Sequence, residues 1–199
     1  MFQMLFQGFK WKFRDVLMHI DDQDTNSLIQ KLIPEGKNVC SLCARLRRGI
    51  LYRVARETGC NRIALGHHMD DIVSTLLLKS LLWWTFESMP PALKNDRGDC
   101  VVIRPLAYVR EAETAKMAKI RGYPLAAKGI CGAGENLKRK EIKELNATLG
   151  PRNFPGRIYN IFMSLTRVSP SHLLDRSIYD FTNFAPIIRY SWIRGVRRK

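Results

Sequence analysis

The sequence has few acidic residues and lacks an apolar run long enough to cross a membrane. Only 18 aspartates and glutamates oppose 33 lysines and arginines, which gives the 199-residue chain a formal net charge of +15. A membrane-spanning helix needs about 18–20 consecutive apolar residues, whereas the best candidate, residues 72–84, is interrupted by Lys79. The composition therefore argues against a membrane-embedded protein. The charge favours a polyanionic partner: RNA, DNA or an anionic membrane surface.

The chain also lacks internal repeats, low-complexity segments and the regular cysteine pattern of a secreted disulfide-bonded domain. Its five cysteines are unevenly spaced, which fits a reducing, cytosolic setting better than an extracellular one. Apolar residues make up 46% of the chain, so the sequence can form one domain with a sizeable core.

Most of the residues that could bind a metal ion or a ligand lie between Cys40 and Asp71. Cys40 and Cys43 form a Cys-x-x-Cys pair, whose spacing lets two thiolates turn toward one metal ion or one cluster iron. The same spacing serves a redox disulfide, and two small apolar residues at a helix start are the simplest alternative. A metal site would need a third ligand elsewhere in the chain, and zinc is the rival to iron.

An arginine-rich helix is predicted directly after the cysteine pair, with its end at Gly59. At 100° per residue, Cys43 falls on the apolar side, which would turn its sulfur inward, together with Leu46, Ile50, Leu51 and Val54. Arginines occupy the opposite side: Arg45, Arg48 and Arg56. Arg47 falls within the apolar stripe, either as a snorkelling side chain paired with a carboxylate such as Glu57 or as a group aimed at phosphate or an anionic cluster.

Two strand–helix units follow one another along the chain. Residues 62–65 predict a strand that runs into Gly66-His67-His68-Met69-Asp70-Asp71, and residues 72–82 predict a helix. Residues 101–106 predict a second strand and residues 108–121 a second helix, so we expect a parallel sheet. The carboxyl end of such a strand is the ligand edge of an α/β sheet, and helix N-termini there bind phosphate. Helix capping explains one of the two aspartates but not the histidine pair.

The segment between the two units, residues 83–98, predicts a loop, because prolines and turn-forming residues dominate it. Trp83 and Trp84 open this loop. Their side chains either pack beneath it or form an aromatic surface on which RNA bases stack.

Four stretches carry a family resemblance: RLRRGILYR, IALGHHMDD, MPPAL and VIRPLAYVRE. In this order and spacing they resemble the tRNA 2-thiocytidine synthetases, the tRNA-cytidine 2-sulfurtransferases of the TtcA type. The resemblance covers about residues 33–181. It implies an α/β, Rossmann-like PP-loop ATPase fold of the adenine nucleotide alpha hydrolase type, with a parallel sheet. The implied activity is ATP-dependent 2-thiolation of a tRNA cytidine, in which ATP adenylates the cytosine 2-oxygen, sulfur attacks that carbon and AMP leaves.

The resemblance also implies roles for individual residues, none of them catalytic. A [4Fe-4S] cluster would be held, with one iron left open, by Cys40, Cys43 and Cys131. The site for ATP and Mg²⁺ would be lined by Gly66, His67, Asp70, Asp71 and Arg104. The residues that would contact the cluster, phosphate or RNA are Arg45, Arg47 and Arg48. The implied partners are tRNA, ATP and a sulfur donor such as a cysteine desulfurase, with a homodimer as an option, no membrane and a cytoplasmic location.

The chain lacks the Ser-Gly-Gly-x-Asp-Ser pyrophosphate loop that the resemblance implies, and its 13 glycines are never adjacent. It also has Trp83-Trp84-Thr85 where the family tends to have Gly-Gly-Lys, and it keeps only the last cysteine, Cys131, of the family's second Cys-x-x-Cys. We therefore expect an N-terminally truncated domain. Its parts would be a divergent segment over residues 1–32, a partial PP-loop tRNA-thiolation domain over residues 33–181 and a basic tail over residues 182–199. Two alternatives remain open: a degraded relative without activity, and a non-catalytic basic RNA-binding module with a structural zinc site.

Overall fold

The computed structural model describes residues 21, 23–33, 39–123, 137–148 and 156–183 of the chain. The expected cluster ligand Cys131, residues 1–20 of the opening segment and residues 184–199 of the tail lie outside the described residues. The helices are α1 Thr25–Leu32, α2 Cys40–Glu57, α3 Met69–Leu82, α4 Glu111–Arg121, α5 Leu137–Thr148 and α6 Arg157–Ser164, with a 3-10 turn at Pro170–His172. The strands are β1 Arg62–Ala64, β2 Ala92–Lys94 and β3 Val101–Ile103.

The three strands form one small mixed sheet in the order β1–β3–β2. β1 runs parallel to β3, with Ile63 opposite Val102, as the two strand–helix units predicted. β2 runs antiparallel to β3, with Leu93 opposite the same Val102. The chain is thus α/β, but the expectation of a purely parallel sheet is wrong for the strands that the structure describes.

β2 lies within the segment that was predicted to be a loop, and a tight turn explains its presence. The Asn95 N–H donates to the Cys100 carbonyl at 2.9 Å, and the Gly98 N–H donates to the Asn95 carbonyl at 2.9 Å. Gly98 has a φ of +78°, a conformation that glycine adopts without strain. The turn folds β2 back onto β3 as an edge strand. All three β2 residues are exposed, so the strand carries no alternation of apolar and polar residues that a sequence reading could detect.

The core of the first compact unit, residues 1–162, centres on the buried face of α3. That face is the apolar run predicted over residues 72–82, and it packs against α5. α3 contributes Met69, Ile72, Val73 and Leu76, and the other buried apolar residues include Ala55, Val102, Ala107, Ile142 and Phe162. The ring of Tyr108 meets that of Phe162 edge to face, with centroids 5.3 Å apart. None of the described helices is long and apolar enough to span a membrane.

α2 is less buried than its apolar stripe predicted. Ala55 is its only buried residue, and Leu51 is 37% exposed. Arg47 is exposed, although helical periodicity placed it within the apolar stripe. Glu57, which was considered as its partner, instead accepts hydrogen bonds from Arg53 at 3.0 and 3.2 Å. The described packing of α2 involves mainly the short elements α1 and β1, which cover only part of an 18-residue helix.

The second compact unit begins at residue 163 and is held by short polar contacts. His172 Nδ1 lies 3.0 Å from the hydroxyls of both Ser169 and Ser171. The backbone N–H and the hydroxyl of Thr182 donate to Asp180, and together with the Asn183 amide they lower the pKa of Asp180 to about 2. These local turns fix the described part of the segment, residues 163–183, in which no side chain is buried.

Replacing Ile72 by alanine tests the assignment of the core to α3. The Ile72 side chain is 2% exposed, so its truncation should lower the free energy of unfolding by about 2–5 kcal/mol. Ile120→Ala is the matched control, because that side chain on α4 is 69% exposed and its loss should cost less than about 0.5 kcal/mol. Urea unfolding measures both values, and an equal loss in the two variants would contradict the assignment.

Candidate functional site

The carboxyl ends of β1 and β3 lie side by side and form one edge of the sheet. The Leu65 N–H donates to the Ile103 carbonyl at 2.9 Å, just beyond the paired residues. The chain then enters α3 through residues 66–68, and the Met69 N–H donates to the Val109 carbonyl at 3.0 Å. The predicted site residues Gly66, His67, Asp70 and Asp71 therefore share this edge with Arg104, as parallel pairing predicted.

Asp70 joins the start of α3 to the start of α4. Arg110, the residue before α4, donates from Nε to both carboxylate oxygens of Asp70 at 3.1 Å and from Nη2 to Oδ1 at 2.9 Å. The Glu111 N–H donates to Asp70 Oδ2 at 2.7 Å. One carboxylate thus fixes the N-termini of α3 and α4, the helices that follow the neighbouring strands β1 and β3, to each other. Sequence reasoning missed this function of Arg110, because the two residues are 40 positions apart.

These contacts set the charge of Asp70. Burial alone would raise the pKa of its carboxyl, but the hydrogen bonds from Arg110 and Glu111, with the charges of Arg110 and His68, outweigh burial and lower the pKa below its ordinary value. Asp70 is therefore a carboxylate across the neutral range, with both oxygens engaged within the protein.

Asp71 caps the N-terminus of α3. Its Oδ2 accepts a hydrogen bond from the His68 N–H at 3.1 Å, as the capping interpretation predicted for one of the two aspartates. The His68 ring lies beside both carboxylates, with Nε2 3.4 Å from Asp71 Oδ2 and Nδ1 3.9 Å from Asp70 Oδ2. His68 was not among the predicted site residues, although its place two residues before Asp70 was the available signal.

The two remaining residues of this edge, Gly66 and His67, differ in their surroundings. Gly66 is exposed, and no atom lies within 4 Å of the position that a Cβ would occupy there. The His67 ring is half-buried. The open backbone at Gly66 leaves room for a ligand to approach the sheet edge at this point.

Arg104, directly after β3, is a buried cation without a carboxylate partner among the described residues. It is 9% exposed; its Nη1 donates to the Pro90 carbonyl at 2.5 Å, and its buried Nε has no hydrogen-bond acceptor among them. Burial lowers the pKa of Arg104, the positive charge of Arg48 on α2 lowers it further, and Tyr52 opposes them. The charge of Arg48 thus acts on Arg104, although the sequence placed the two residues in separate sites.

The cysteine pair occupies the first turn of α2. Cys40 and Cys43 are both half-buried, and their spacing of three residues places them on one face of the helix. The described residues hold no group of three metal-binding side chains, and Cys131 lies outside them. Arg45, Arg47 and Arg48 of the same helix are all exposed.

The described fold is shared with a solved tRNA thiolase. The structure of the U34-tRNA thiolase NcsA from Methanococcus maripaludis with its [4Fe-4S] cluster matches with a TM-score of 0.53 and 24% identity, over 69% of this chain and 48% of that one. At this identity the match shows the fold alone.

Curated proteins of one name are similar to this chain over most of its length. A tRNA-cytidine(32) 2-sulfurtransferase of Janthinobacterium sp. strain Marseille is 51% identical over 85% of this chain and 53% of its own length. The proteins of the same name from Herminiimonas arsenicoxydans and Verminephrobacter eiseniae are 50% and 52% identical over 85% and 83% of this chain, and over 53% and 52% of their own lengths. No family model matches the chain. Over the aligned stretch the chain is homologous to the tRNA-cytidine(32) 2-sulfurtransferases, which confirms the resemblance of its motifs. The chain spans about half the length of these relatives.

Replacing Asp70 by asparagine tests the charge pairing at the sheet edge through acid stability. The pKa of Asp70 in the folded protein lies below the ordinary value of 3.8. The ionised carboxylate therefore stabilises the fold fully at pH values above 3.8, and this stabilisation is lost as the pH falls through the lowered pKa. Asp70→Asn should therefore be less stable than the wild type at pH 7 and should lose less further stability between about pH 5 and pH 2.

Urea unfolding at several pH values measures this difference. Asp96→Asn is the control, because that residue lies on the exposed turn between β2 and β3. If Asp70→Asn kept the pH profile of the wild type, the pairing would contribute nothing to stability.

Proposed function

We propose that this chain carries out, within a tRNA sulfurtransferase, the ATP-dependent 2-thiolation of a tRNA cytidine. The observation that carries the proposal is the identity of about 50% over 85% of the chain to proteins named tRNA-cytidine(32) 2-sulfurtransferase. Residues 33–181 would form the PP-loop thiolation domain, preceded by a divergent segment and followed by a basic tail. The reaction would take place in the cytoplasm, with tRNA, Mg-ATP and a sulfur donor such as a cysteine desulfurase as partners and a homodimer as an option.

The cysteine pair supports a [4Fe-4S] cluster of the kind that the related thiolase NcsA carries. Cys40 and Cys43 offer two thiol groups from one helix face, which is the donor type that iron–sulfur clusters use. Cys131 would be the third ligand. When bound, a cluster with three protein ligands offers one open iron at which sulfur is held.

The sheet edge supports a nucleotide site. Gly66 and His67 would lie against the nucleotide, and Arg104 would contact an anionic group of ATP, because its buried Nε has no acceptor among the described residues. Asp70 and Asp71 would act beside the magnesium-bound phosphates chiefly as positioning residues. Asp70 holds Arg110 and the start of α4, and Asp71 caps α3.

The exposed face of α2 supports an RNA contact. Arg45, Arg47 and Arg48 are exposed on one helix, and guanidinium groups pair well with backbone phosphates. Such contacts hold the tRNA in register without reading its sequence. The formal charge of +15 adds a general attraction for RNA that weakens as salt is added.

Substituting single cysteines tests the cluster. After anaerobic reconstitution, Cys40→Ser, Cys43→Ser and Cys131→Ser should each lose most of the bound iron and sulfide, because a three-ligand site does not hold a cluster with two. Cys60→Ser and Cys100→Ser are the controls and should keep wild-type amounts. Chemical iron and sulfide analysis gives the result.

Two outcomes of this experiment would contradict the proposal. Retention of a full cluster by Cys131→Ser would show that the three-ligand assignment is wrong. A wild-type chain that binds zinc in the same site but no iron would favour a basic RNA-binding module with a structural zinc.

Substituting Arg104 tests the anion site. The sequence has no paired glycines for a phosphate cradle, so we expect the isolated chain to bind pyrophosphate or Mg-ATP only weakly, with a dissociation constant of about 1 mM or higher. Millimolar pyrophosphate should still raise the melting temperature of the wild type by linkage. Arg104→Met should abolish that rise. The substitution removes a buried charge but also the hydrogen bond to the Pro90 carbonyl, so the rise is measured against the melting temperature of the unliganded variant.

Arg62→Met is the control, because Arg62 is exposed on β1. Differential scanning fluorimetry measures the shifts. Micromolar binding by the wild type would show that another part of the chain supplies a phosphate cradle, and an undiminished shift in Arg104→Met would remove Arg104 from the site.

A further inference from the structure

α3 ends in a corner of exposed aromatic side chains. Trp83, Trp84 and Phe86, here called the aromatic corner, are 51%, 95% and 60% exposed. Leu81 and Leu82 just before them are also exposed. Large aromatic side chains are normally at least partly covered in a folded chain. An exposed group of three in sequence therefore indicates a surface that binds something.

The backbone of Trp84 strengthens this inference. Its φ of +55° is the only positive φ of a non-glycine residue among the described residues. The position directly after a helix C-cap often adopts this left-handed conformation and is usually filled by glycine, which adopts it without strain. The Trp84 indole gains almost no packing in return, because it is 95% exposed. Neither the helix end nor the core therefore explains a tryptophan here, and strain of this kind is found at binding surfaces.

Positive charge surrounds the aromatic corner. The Lys79 Nζ lies 5.7 Å from the centroid of the Trp83 ring, and the Lys138 Nζ of α5 lies 5.9 Å from it. Both distances are in the range of a cation–π contact. Glu87 forms an ion pair with Lys79 and is the acidic side chain closest to this group in the described contacts. Aromatic faces bordered by lysines suit a ligand that has both flat rings and negative charges.

We propose that the aromatic corner is a stacking platform for an unpaired nucleotide of the RNA, with the Trp84 indole against the base and the nearby lysines beside the flanking phosphates. This inference rests on the proposed function, which makes tRNA the substrate. Bases stack on tryptophan without sequence preference, and the phosphates complement the lysines. A second copy of the chain is a poorer occupant, because it would bring the same excess of positive charge to the contact.

The test compares single-stranded and double-stranded RNA, since only an unpaired base can stack on an exposed indole. The probes are a fluorescent oligoribonucleotide of about 12 nucleotides, its duplex, and an unmodified tRNA transcript, measured by anisotropy with the full 199-residue chain. Trp84→Gly should weaken single-strand binding by about 5- to 150-fold, the range for loss of one base–aromatic stack. Duplex binding should change little, and the melting temperature should stay equal or rise, because glycine relieves the left-handed conformation.

Conservative variants separate stacking from simple apolar contact. Trp84→Phe keeps a ring and should retain most of the single-strand affinity, whereas Trp84→Leu keeps only apolar surface and should lose it. Tyr159→Leu is the control, because Tyr159 is 52% exposed on α6 outside the aromatic corner. Neither the cluster nor ATP is needed for this measurement, so its result does not depend on activity.

Each of the following outcomes would overturn the proposal. The first is wild-type affinity for the single strand in Trp84→Gly. The second is full affinity in Trp84→Leu, which would indicate a general apolar contact. The third is concentration-dependent self-association in light scattering that Trp84→Gly abolishes, which would assign the corner to a second copy. If the wild type and Trp84→Gly bound the tRNA transcript equally well, the stacking platform would be ruled out and the proposed function would stand. A wild type that binds no tRNA would contradict both the platform and the proposed function.

Discussion

The ion pair between Asp70 and Arg110 fixes the geometry on which the rest of the sheet edge depends. One carboxylate accepts hydrogen bonds from the guanidinium at 2.9 and 3.1 Å and from the first N–H of α4 at 2.7 Å. Because Asp70 stands in the first turn of α3, the pair ties together the helices that follow β1 and β3. The sheet has three short strands among the described residues, so side-chain contacts of this kind contribute much to the positions of the loops at its edge.

The same pairing separates the roles of the charged residues. Asp70 and Asp71 use their oxygens within the protein, on Arg110 and on the His68 N–H, and so hold the loop in shape. Arg104 lies at the same edge, buried and without a carboxylate partner among the described residues. A buried guanidinium is costly unless something pairs with it. A negatively charged ligand at this edge would be favoured by a cation that the fold has already desolvated.

Local features of this chain could be predicted from sequence because they depend on neighbours in the sequence. The helices α2 and α3, the strands β1 and β3, and the end of α2 near Gly59 follow from apolar periodicity and glycine placement. The motifs pointed to the proteins with which the chain is homologous over the aligned stretch. Three features could not be predicted. β2 is an exposed edge strand without a pattern, Arg47 faces solvent because α2 is only partly covered, and Asp70 meets Arg110 across 40 residues. Each depends on tertiary packing, which a single sequence does not reveal.

A double-mutant cycle between Asp70 and Arg110 is the most direct test of this account. Urea unfolding of Asp70→Asn, Arg110→Met and the double variant yields the interaction energy of the pair separately from the cost of each substitution. The two-pronged geometry and the half-buried carboxylate predict an interaction of about 1 kcal/mol or more, above the range of an isolated surface pair. An interaction energy near zero would contradict the account, because the helices on β1 and β3 would then be positioned by something other than this pair.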